Sequence, residues 1–263
     1  MIGPAFVFIK GMKKLIRIAL LISSLFIFTA CPNPPAAEEP CNFVQNSFSR
    51  RVAWARFPIV LYADDSVLNI PVGLDSNGDP RDPLTAVYAL QEAVLFWNEE
   101  LGTEVFELRG ITSQLPDPEL GSDGRMIPDT YNGIYLVGPE IFQNTSGRDE
   151  QARTSINFRG DFIYEADILI DSSEMFYFED RDISPATRQV QFKSLMIHEL
   201  GHVLGLGHVE EAGTDSVMDP RLQYGQMRPE PSLTKDGDPL VDEDGITILK
   251  LPEIDQASVA CEY

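Results

Sequence analysis

HELGHVLGLGH, residues 198–208, contains all three histidines of the 263-residue chain. His198 and His202 are four residues apart, so in a helix both imidazoles project from one face, about one turn from each other. Gly205 can adopt a backbone conformation closed to other residues, which lets the helix end and the chain turn back. His208 would then lie beside the pair. The alternative, two histidines satisfied in the core plus one at the surface, requires all these spacings to be accidental.

Three protein ligands with a fourth position left open are typical of a catalytic zinc site. Glu199 follows the first histidine and faces the open position. A carboxylate there can take a proton from a water that the metal activates and later return it to a leaving amine. The motif therefore predicts one zinc ion held by His198, His202 and His208, with Glu199 as the general base.

A second motif, Ser216-Val217-Met218-Asp219-Pro220, follows shortly after His208. At these two motifs the chain resembles the metzincin clan of zinc endopeptidases, in which HExxHxxGxxH is followed by a turn with a methionine beneath the metal. Pro220 makes the resemblance closest to the matrixins, the matrix-metalloproteinase-like family. The resemblance implies structural roles near the site for Gly205, Met218 and Pro220.

The resemblance extends more weakly over residues 52–250. AVLFWNEE (93–100) resembles the first matrixin helix, TSINFRGDFIYEADILID (154–171) the antiparallel edge strand with its neighbour, and DEDGITILKLP (242–252) the closing helix. It implies a single α/β (α+β) metzincin-like domain with a twisted, mostly parallel five-stranded sheet, an antiparallel edge strand, a long active-site helix, a Met-turn and a C-terminal helix. It also implies that a substrate peptide pairs with the edge strand. The residues expected to contact this peptide are Ser155, Asn157, Phe158 and Tyr224.

Local patterns predict a matching order of elements. Apolar, β-prone runs predict strands at residues 57–65, 103–108, 133–137, 154–158 and 162–171. Apolar residues at steps of three or four, with cap and proline pairs, predict helices from Asp82-Pro83 to Leu101 and from Ser184-Pro185 to about Leu204. A last helix is expected from about residue 242 to 249.

The matrixins carry a second, structural zinc bound largely by histidines, and this chain has no fourth histidine, so we expect one zinc ion. Calcium stays open as a ligand, without a pattern that supports it. The segment 75–82 has alternating carboxylates, but Pro80 and Ala86 stand where an EF-hand loop needs glycine and glutamate. A solvated turn is the better interpretation of this segment.

The N-terminal residues have the pattern of a secretory signal, with Met12 as the more natural start. A cationic stretch, 12–17, precedes a thirteen-residue apolar run that is shorter than the about 20 residues of a membrane span. Phe28-Thr29-Ala30-Cys31 resembles the lipobox of bacterial lipoproteins, which implies removal of residues 1–30 and a lipid on Cys31. An uncleaved apolar anchor helix is the alternative. Residues 31–50 would form a proline-rich tether and residues 51–263 the catalytic domain.

The expected cellular compartment and the net charge limit which disulfides and binding partners are plausible. Cys41 and Cys261 would face an oxidising environment, which favours a disulfide between them, with two free buried thiols as the alternative. The net charge is −21, and it becomes −25 without residues 1–30, which hold four cations and no carboxylate. Such acidity disfavours nucleic acid and anionic lipid headgroups as partners.

The sequence thus predicts a monomeric zinc endopeptidase, secreted and lipid-anchored to the cell envelope at the outer membrane or cell surface. Its partners would be a protein or peptide substrate and, through the lipid, a membrane. The alternative is a catalytically weak surface lipoprotein that keeps the metzincin fold as a binding module. The intact Glu199 favours the enzyme.

Overall fold

A computed structural model describes residues 43–44, 50–74, 79–122, 125–142, 150–209, 215–232, 234–235, 240–242 and 247–262, the side chains of Cys261 and Glu262 excepted. The signal, Cys31, Cys41 and the side chain of Cys261 lie outside this range, as do residues 75–78 of segment 75–82. Lipidation and the disulfide therefore stay predictions.

Short β-prone runs build the main sheet, and in its strand Ile59–Asp64 every second side chain is buried because successive side chains point to opposite faces. Its strands are β1 (Ala53–Trp54), β2 (Ile59–Asp64), β3 (Phe106–Thr112), β4 (Gly133–Val137), β5 (Ala152–Arg159) and β6 (Phe162–Asp171). Parallel pairing links β3 to β2, β2 to β4 and β4 to β6, while β1 pairs in parallel with the start of β6. β5 is antiparallel to β6. The expected five-stranded, mostly parallel sheet with an antiparallel edge strand is confirmed, and β1 adds a short sixth strand.

Two helices pack together against this sheet and carry its apolar core. Helix α1 (Thr85–Glu100) begins after Asp82, whose carboxylate accepts a hydrogen bond from Leu84 N (2.8 Å). Helix α2 (Phe192–Val203) carries the first two histidines, and α3 (Glu253–Glu262) is the last helix. Trp97 of α1 is fully buried and donates to the carbonyl of Ile197 in α2 (2.9 Å), which fixes the two helices against each other.

The predicted start of the active-site helix is wrong. Ser184 and Pro185 do form a cap and proline pair, but of a single 3-10 turn, Pro185–Thr187, which ends at Arg188 in the left-handed conformation. A two-stranded parallel sheet of β7 (Phe176–Tyr177) and β8 (Val190–Gln191) then precedes α2. Gln191 caps α2 by accepting from Ser194 N (2.6 Å).

Two other boundaries differ from the sequence predictions. The strand expected at 103–108 begins at Phe106. The side-chain oxygen of Asn98 accepts hydrogen bonds from Val105 N and Phe106 N, so the residues before Phe106 form the connection from α1 to the strand. The last helix lies at Glu253–Glu262 instead of 242–249. Thr247 and Leu249 form isolated bridges, and the Pro252 carbonyl accepts the first amides of the helix.

Phe43 and Val44 belong to the same compact unit as the described residues from 50 onward. Phe43 forms an antiparallel bridge with Leu206, and Val44 N donates to the carbonyl of Gly205 (2.8 Å). None of the helices in the described part of the chain has the length and apolar character that a membrane crossing requires.

Candidate active site

Helix α2 is anchored at its first turn by a buried cation. Lys193 is 3% exposed, and its ammonium lies 2.8 Å from Glu92 Oε2 of α1 and 2.6 Å from Asp180 Oδ1. Because a buried charge is tolerated only when it is paired, these contacts fix the helix along its axis. Lys193 therefore helps to set the position of His198 and His202, which follow it on the same helix.

The three imidazoles converge on one point. His202 Nε2 lies 3.1 Å from His198 Nε2 and 3.0 Å from His208 Nε2. Three nitrogens on a tetrahedral zinc at 2.0–2.1 Å would be about 3.3 Å apart. Among the described residues, these histidines are the group of side chains that could hold a metal ion. The ligand set thus fits zinc, as the spacing of the motif predicted.

Backbone carbonyls select which nitrogen of each ring faces the common point. His198 Nδ1 lies 2.6 Å from the Val217 carbonyl, and His202 Nδ1 lies 2.8 Å from the Leu206 carbonyl. A carbonyl can only accept, so Nδ1 carries the proton and donates, and Nε2 presents its lone pair. Burial lowers the pKa of both His198 and His202 to about 4. Both rings are therefore neutral near pH 7, the form that binds a metal.

Met218 lies directly beneath the helix that carries the ligands. It is fully buried, and a Cβ added at Gly201 would meet its Sδ at 2.4 Å. A side chain at this position of the helix would have to displace the buried methionine, and glycine leaves room for its close approach. Val209, the residue after the third ligand, donates from its amide to the Met218 carbonyl (2.9 Å) and is itself buried.

A carboxylate of the last helix holds the Met-turn, Ser216–Pro220. Asp255 Oδ1 accepts from Ser216 Oγ (2.7 Å) and Oδ2 accepts from Val217 N (2.8 Å). Burial raises the pKa of Asp255 to about 6, although these two bonds oppose the shift. The Val217 carbonyl accepts the hydrogen bond from His198 Nδ1, so Asp255 helps to orient His198 through the one intervening residue, Val217.

Gly205 ends the helical segment as the sequence predicted. Its φ is +100°, and its amide donates to the His202 carbonyl (2.8 Å). The next residue, Leu206, donates to the Gly201 carbonyl (3.0 Å) and accepts from the His202 ring. The turn brings His208 back over the face of α2, where its ring is exposed while His198 is buried.

Glu199 is 4% exposed and lies at the wall of the cleft between β5 and the Met-turn. Its Oε2 accepts a hydrogen bond from Thr154 Oγ1 at 2.6 Å. Burial raises the pKa of the Glu199 carboxyl, whereas the electrostatic interaction with His202 and the hydrogen bond from the Thr154 hydroxyl oppose the shift. A buried carboxylate with a raised pKa next to a metal-binding group is suited to accepting and returning a proton.

The cleft is open and has a volume of about 640 Å³. Ser155 and Phe158 of β5 line it on one side, and Pro220 and Tyr224 on the other. Asn157 is not among the lining residues: its side-chain amide donates to the Met126 carbonyl (3.3 Å) and to Glu165 Oε1 (3.2 Å), on the strand face that also carries the Ser155 side chain, whose Oγ accepts from Met126 N. The substrate contacts assigned to Ser155, Asn157, Phe158 and Tyr224 stay predictions.

Three residues around the site were missed at the sequence level: Thr154, Lys193 and Asp255. Thr154 lies on the same strand face as Phe158, four residues away, so alternation alone could have placed it toward the cleft. A lysine in the first turn of an apolar helix was a signal for a buried ion pair. Nothing in the sequence around Asp255 pointed to the Met-turn.

Comparison with known proteins bears on the same residues. Residues 150–246 match the sequence model of the matrixin peptidases, a range that contains β5, β6, all three histidines, Glu199 and the Met-turn. No curated protein matches the chain. Residues 150–246 are thus similar to the matrixin peptidases, and with the convergence of the three imidazoles this match supports a zinc metalloprotease in general.

Proposed function

We propose that this protein is a zinc-dependent endopeptidase that hydrolyses peptide bonds of extracellular or envelope proteins. The observation that carries the proposal is the convergence of three imidazole Nε2 atoms beside the Glu199 carboxylate in an open cleft. A structural zinc site is closed by a fourth protein ligand, whereas three ligands and an open side are typical of a catalytic one.

The residues divide the chemistry between them. Zinc held by His198, His202 and His208 would supply Lewis acidity, polarising the scissile carbonyl and lowering the pKa of water. Glu199 takes a proton from the attacking water while the water oxygen bonds to the carbonyl carbon of the substrate. It then gives that proton to the amine nitrogen as the carbon–nitrogen bond breaks, so the products are a carboxylic acid and an amine.

The substrate would bind in an extended conformation along β5. Among the described residues β5 pairs with β6 alone. A peptide could therefore add to the other edge of β5 as a further strand, a recurring mode of peptide recognition. Ser155 and Phe158 on this strand and Tyr224 on the opposite wall line the cleft at that edge. Main-chain pairing of this kind sets the register of a peptide and leaves sequence preference to the side-chain pockets.

The proposed location is the cell envelope, with the domain tied to a membrane through lipid on Cys31. Its support is the sequence alone: the cationic stretch, the short apolar run and the lipobox-like Phe28-Thr29-Ala30-Cys31. Expression in a bacterial host with a radiolabelled fatty acid tests it. We expect label on the full chain and none on the Cys31→Ala variant; label on neither would contradict the anchor.

The test of the activity is Glu199→Gln, compared with Glu104→Gln, an exposed glutamate outside the cleft. We expect the first variant to keep stoichiometric zinc and to lose at least about 100-fold in the rate of peptide-library cleavage, because a positioned general base contributes ~10²–10⁴-fold. Glu104→Gln should cleave at the wild-type rate. A zinc-loaded wild type that cleaves nothing would instead favour a binding module, and a fully active Glu199→Gln would refute the assigned base.

A further inference from the structure

The hydroxyl of Thr154 contacts the residue assigned as general base. Thr154 Oγ1 lies 2.6 Å from Glu199 Oε2 and 3.2 Å from the Glu199 main-chain carbonyl. A hydroxyl has one proton, and a carboxylate accepts a shorter and stronger hydrogen bond than a neutral carbonyl. The proton therefore belongs in the 2.6 Å bond to the carboxylate.

The hydrogen bond from Thr154 makes the two carboxylate oxygens of Glu199 different from each other. Oε2 is held by Thr154, whereas Oε1 makes no hydrogen bond within the described part of the chain. A glutamate side chain has three torsions to fix, and a reacting group displaced by about 1 Å can cost 10²-fold in rate. Thr154 itself is β-branched and on a strand, so its χ1 is restricted before it meets Glu199.

We propose that Thr154 is a positioning residue that fixes the Glu199 carboxylate through Oε2 and leaves Oε1 to accept the proton of the attacking water. The assignment rests on the endopeptidase activity proposed above. Thr154 acts through Glu199 and contributes no proton or electron pair of its own.

The location of Thr154 adds a second role to the same contact. It lies on β5 directly before Ser155, on the strand whose edge would pair with the substrate, and it lines the cleft with Glu199. One residue thus connects the strand that sets the register of the peptide to the base that acts on its scissile bond. The peptide and the base are therefore positioned by the same segment of backbone.

A purely structural contact between β5 and α2 would have a different signature. It would depend on the shape of the side chain, it would affect stability, and it would leave turnover by the correctly folded protein unchanged. Three substitutions separate the two roles: Thr154→Val keeps the shape and removes the hydroxyl, Thr154→Ser keeps the hydroxyl, and Thr103→Val is a matched change at an exposed threonine.

The experiment measures kcat, KM and bound zinc for these variants of the full chain. We expect Thr154→Val to lower kcat about 10- to 100-fold with KM within about twofold and zinc content unchanged. Thr154→Ser should stay within about threefold of wild type, and Thr103→Val should be indistinguishable from it. A wild-type kcat in Thr154→Val, an equal loss in the serine variant, or an effect on KM alone would overturn the proposal.

A second measurement does not depend on activity. In zinc-free protein, the shift in urea midpoint caused by Thr154→Val should disappear when Glu199 is also replaced by leucine, because the two residues share one hydrogen bond. Additive shifts would overturn the proposal even with kcat lowered. A zinc-loaded wild type that cleaves nothing would overturn both proposals, whereas an active wild type with an unaffected Thr154→Val overturns only this one.

Discussion

Replacing Gly205 with alanine tests whether the turn after α2 is what delivers the third ligand. Gly205 has a φ of +100°, and a Cβ at this position would lie 3.1 Å from the Val52 carbonyl and 3.4 Å from Ile163 Cδ1. A side chain in such a sparsely populated conformation costs about 1–3 kcal/mol. The Val52 contact adds crowding from backbone, which cannot rotate away. We therefore expect zinc-free Gly205→Ala to lose about 2–4 kcal/mol of unfolding free energy.

The strain should also appear in zinc binding. If the zinc-free variant relieves about 1.5 kcal/mol by shifting residues 205–208, zinc must restore the strained turn in order to engage His208. The same energy is then lost from binding, which makes the affinity about tenfold weaker. Zinc loading should accordingly stabilise the variant less than it stabilises the wild type.

The assays are urea denaturation without zinc and chelator competition for zinc affinity. Gly160→Ala is the matched control: Gly160 also has a positive φ, +64°, but a Cβ there would meet nothing within 4 Å, and the residue lies in the β5–β6 turn. The control should lose about 1–2 kcal/mol and bind zinc normally. If Gly205→Ala is no less stable than Gly160→Ala and binds zinc as tightly as the wild type, the turn does not place His208.

Two further predictions concern pH and the N-terminal boundary. Burial away from water, with smaller contributions from neighbouring carboxylates, raises the pKa of Asp167 to about 8, so stability present below pH 4 is lost as pH rises from about 4 to 8. The wild type should lose up to about 1.36 kcal/mol of unfolding free energy per pH unit, whereas Asp167→Asn should not. With a chelator present to keep both proteins zinc-free, the urea midpoint of Asp167→Asn minus that of the wild type should therefore grow as the pH rises over this range. A constant difference would contradict the shifted pKa. A chain that begins at residue 50 lacks Phe43 and Val44, which pair with Leu206 and Gly205. We expect it to bind zinc several-fold more weakly than a chain that begins at residue 42, and equal affinities in chelator competition would show that the pairing is not needed.

Helices and strands whose ends are set by local sequence signals were predictable from the sequence. β4 and β6 have the predicted bounds, because both are β-prone runs bounded by turn residues. Helix α1 was predicted from its cap and its apolar face. The start of α2 was not, because Ser184-Pro185 gives the same local signal for one 3-10 turn as for a long helix. What ends that turn is the left-handed Arg188 and the pairing of Val190 with Phe176, fourteen residues earlier in the chain.

The three histidines of the candidate metal site were predictable for the same local reason. His198, His202 and His208 lie within eleven residues, and a helix followed by a glycine turn is enough to bring them together. Thr154 reaches Glu199 from a residue 45 positions away, and Asp255 reaches Val217 from 38 positions away. Contacts of that kind depend on how the strand and the last helix pack, which no periodicity in the sequence encodes.

The hydrogen bonds that orient the ligands lead to both ends of the domain. His202 donates to the Leu206 carbonyl, and Leu206 pairs with Phe43 near the N-terminal end. His198 donates to the Val217 carbonyl, and the amide of the same peptide segment is held by Asp255 near the C-terminal end. Partners of this kind usually change metal affinity 10- to 100-fold when they are lost. The motif therefore supplies three histidines that could hold a metal ion, while their orientation depends on segments outside the similarity at residues 150–246. A change at Phe43 or Asp255 should alter zinc binding although neither residue contacts the metal site.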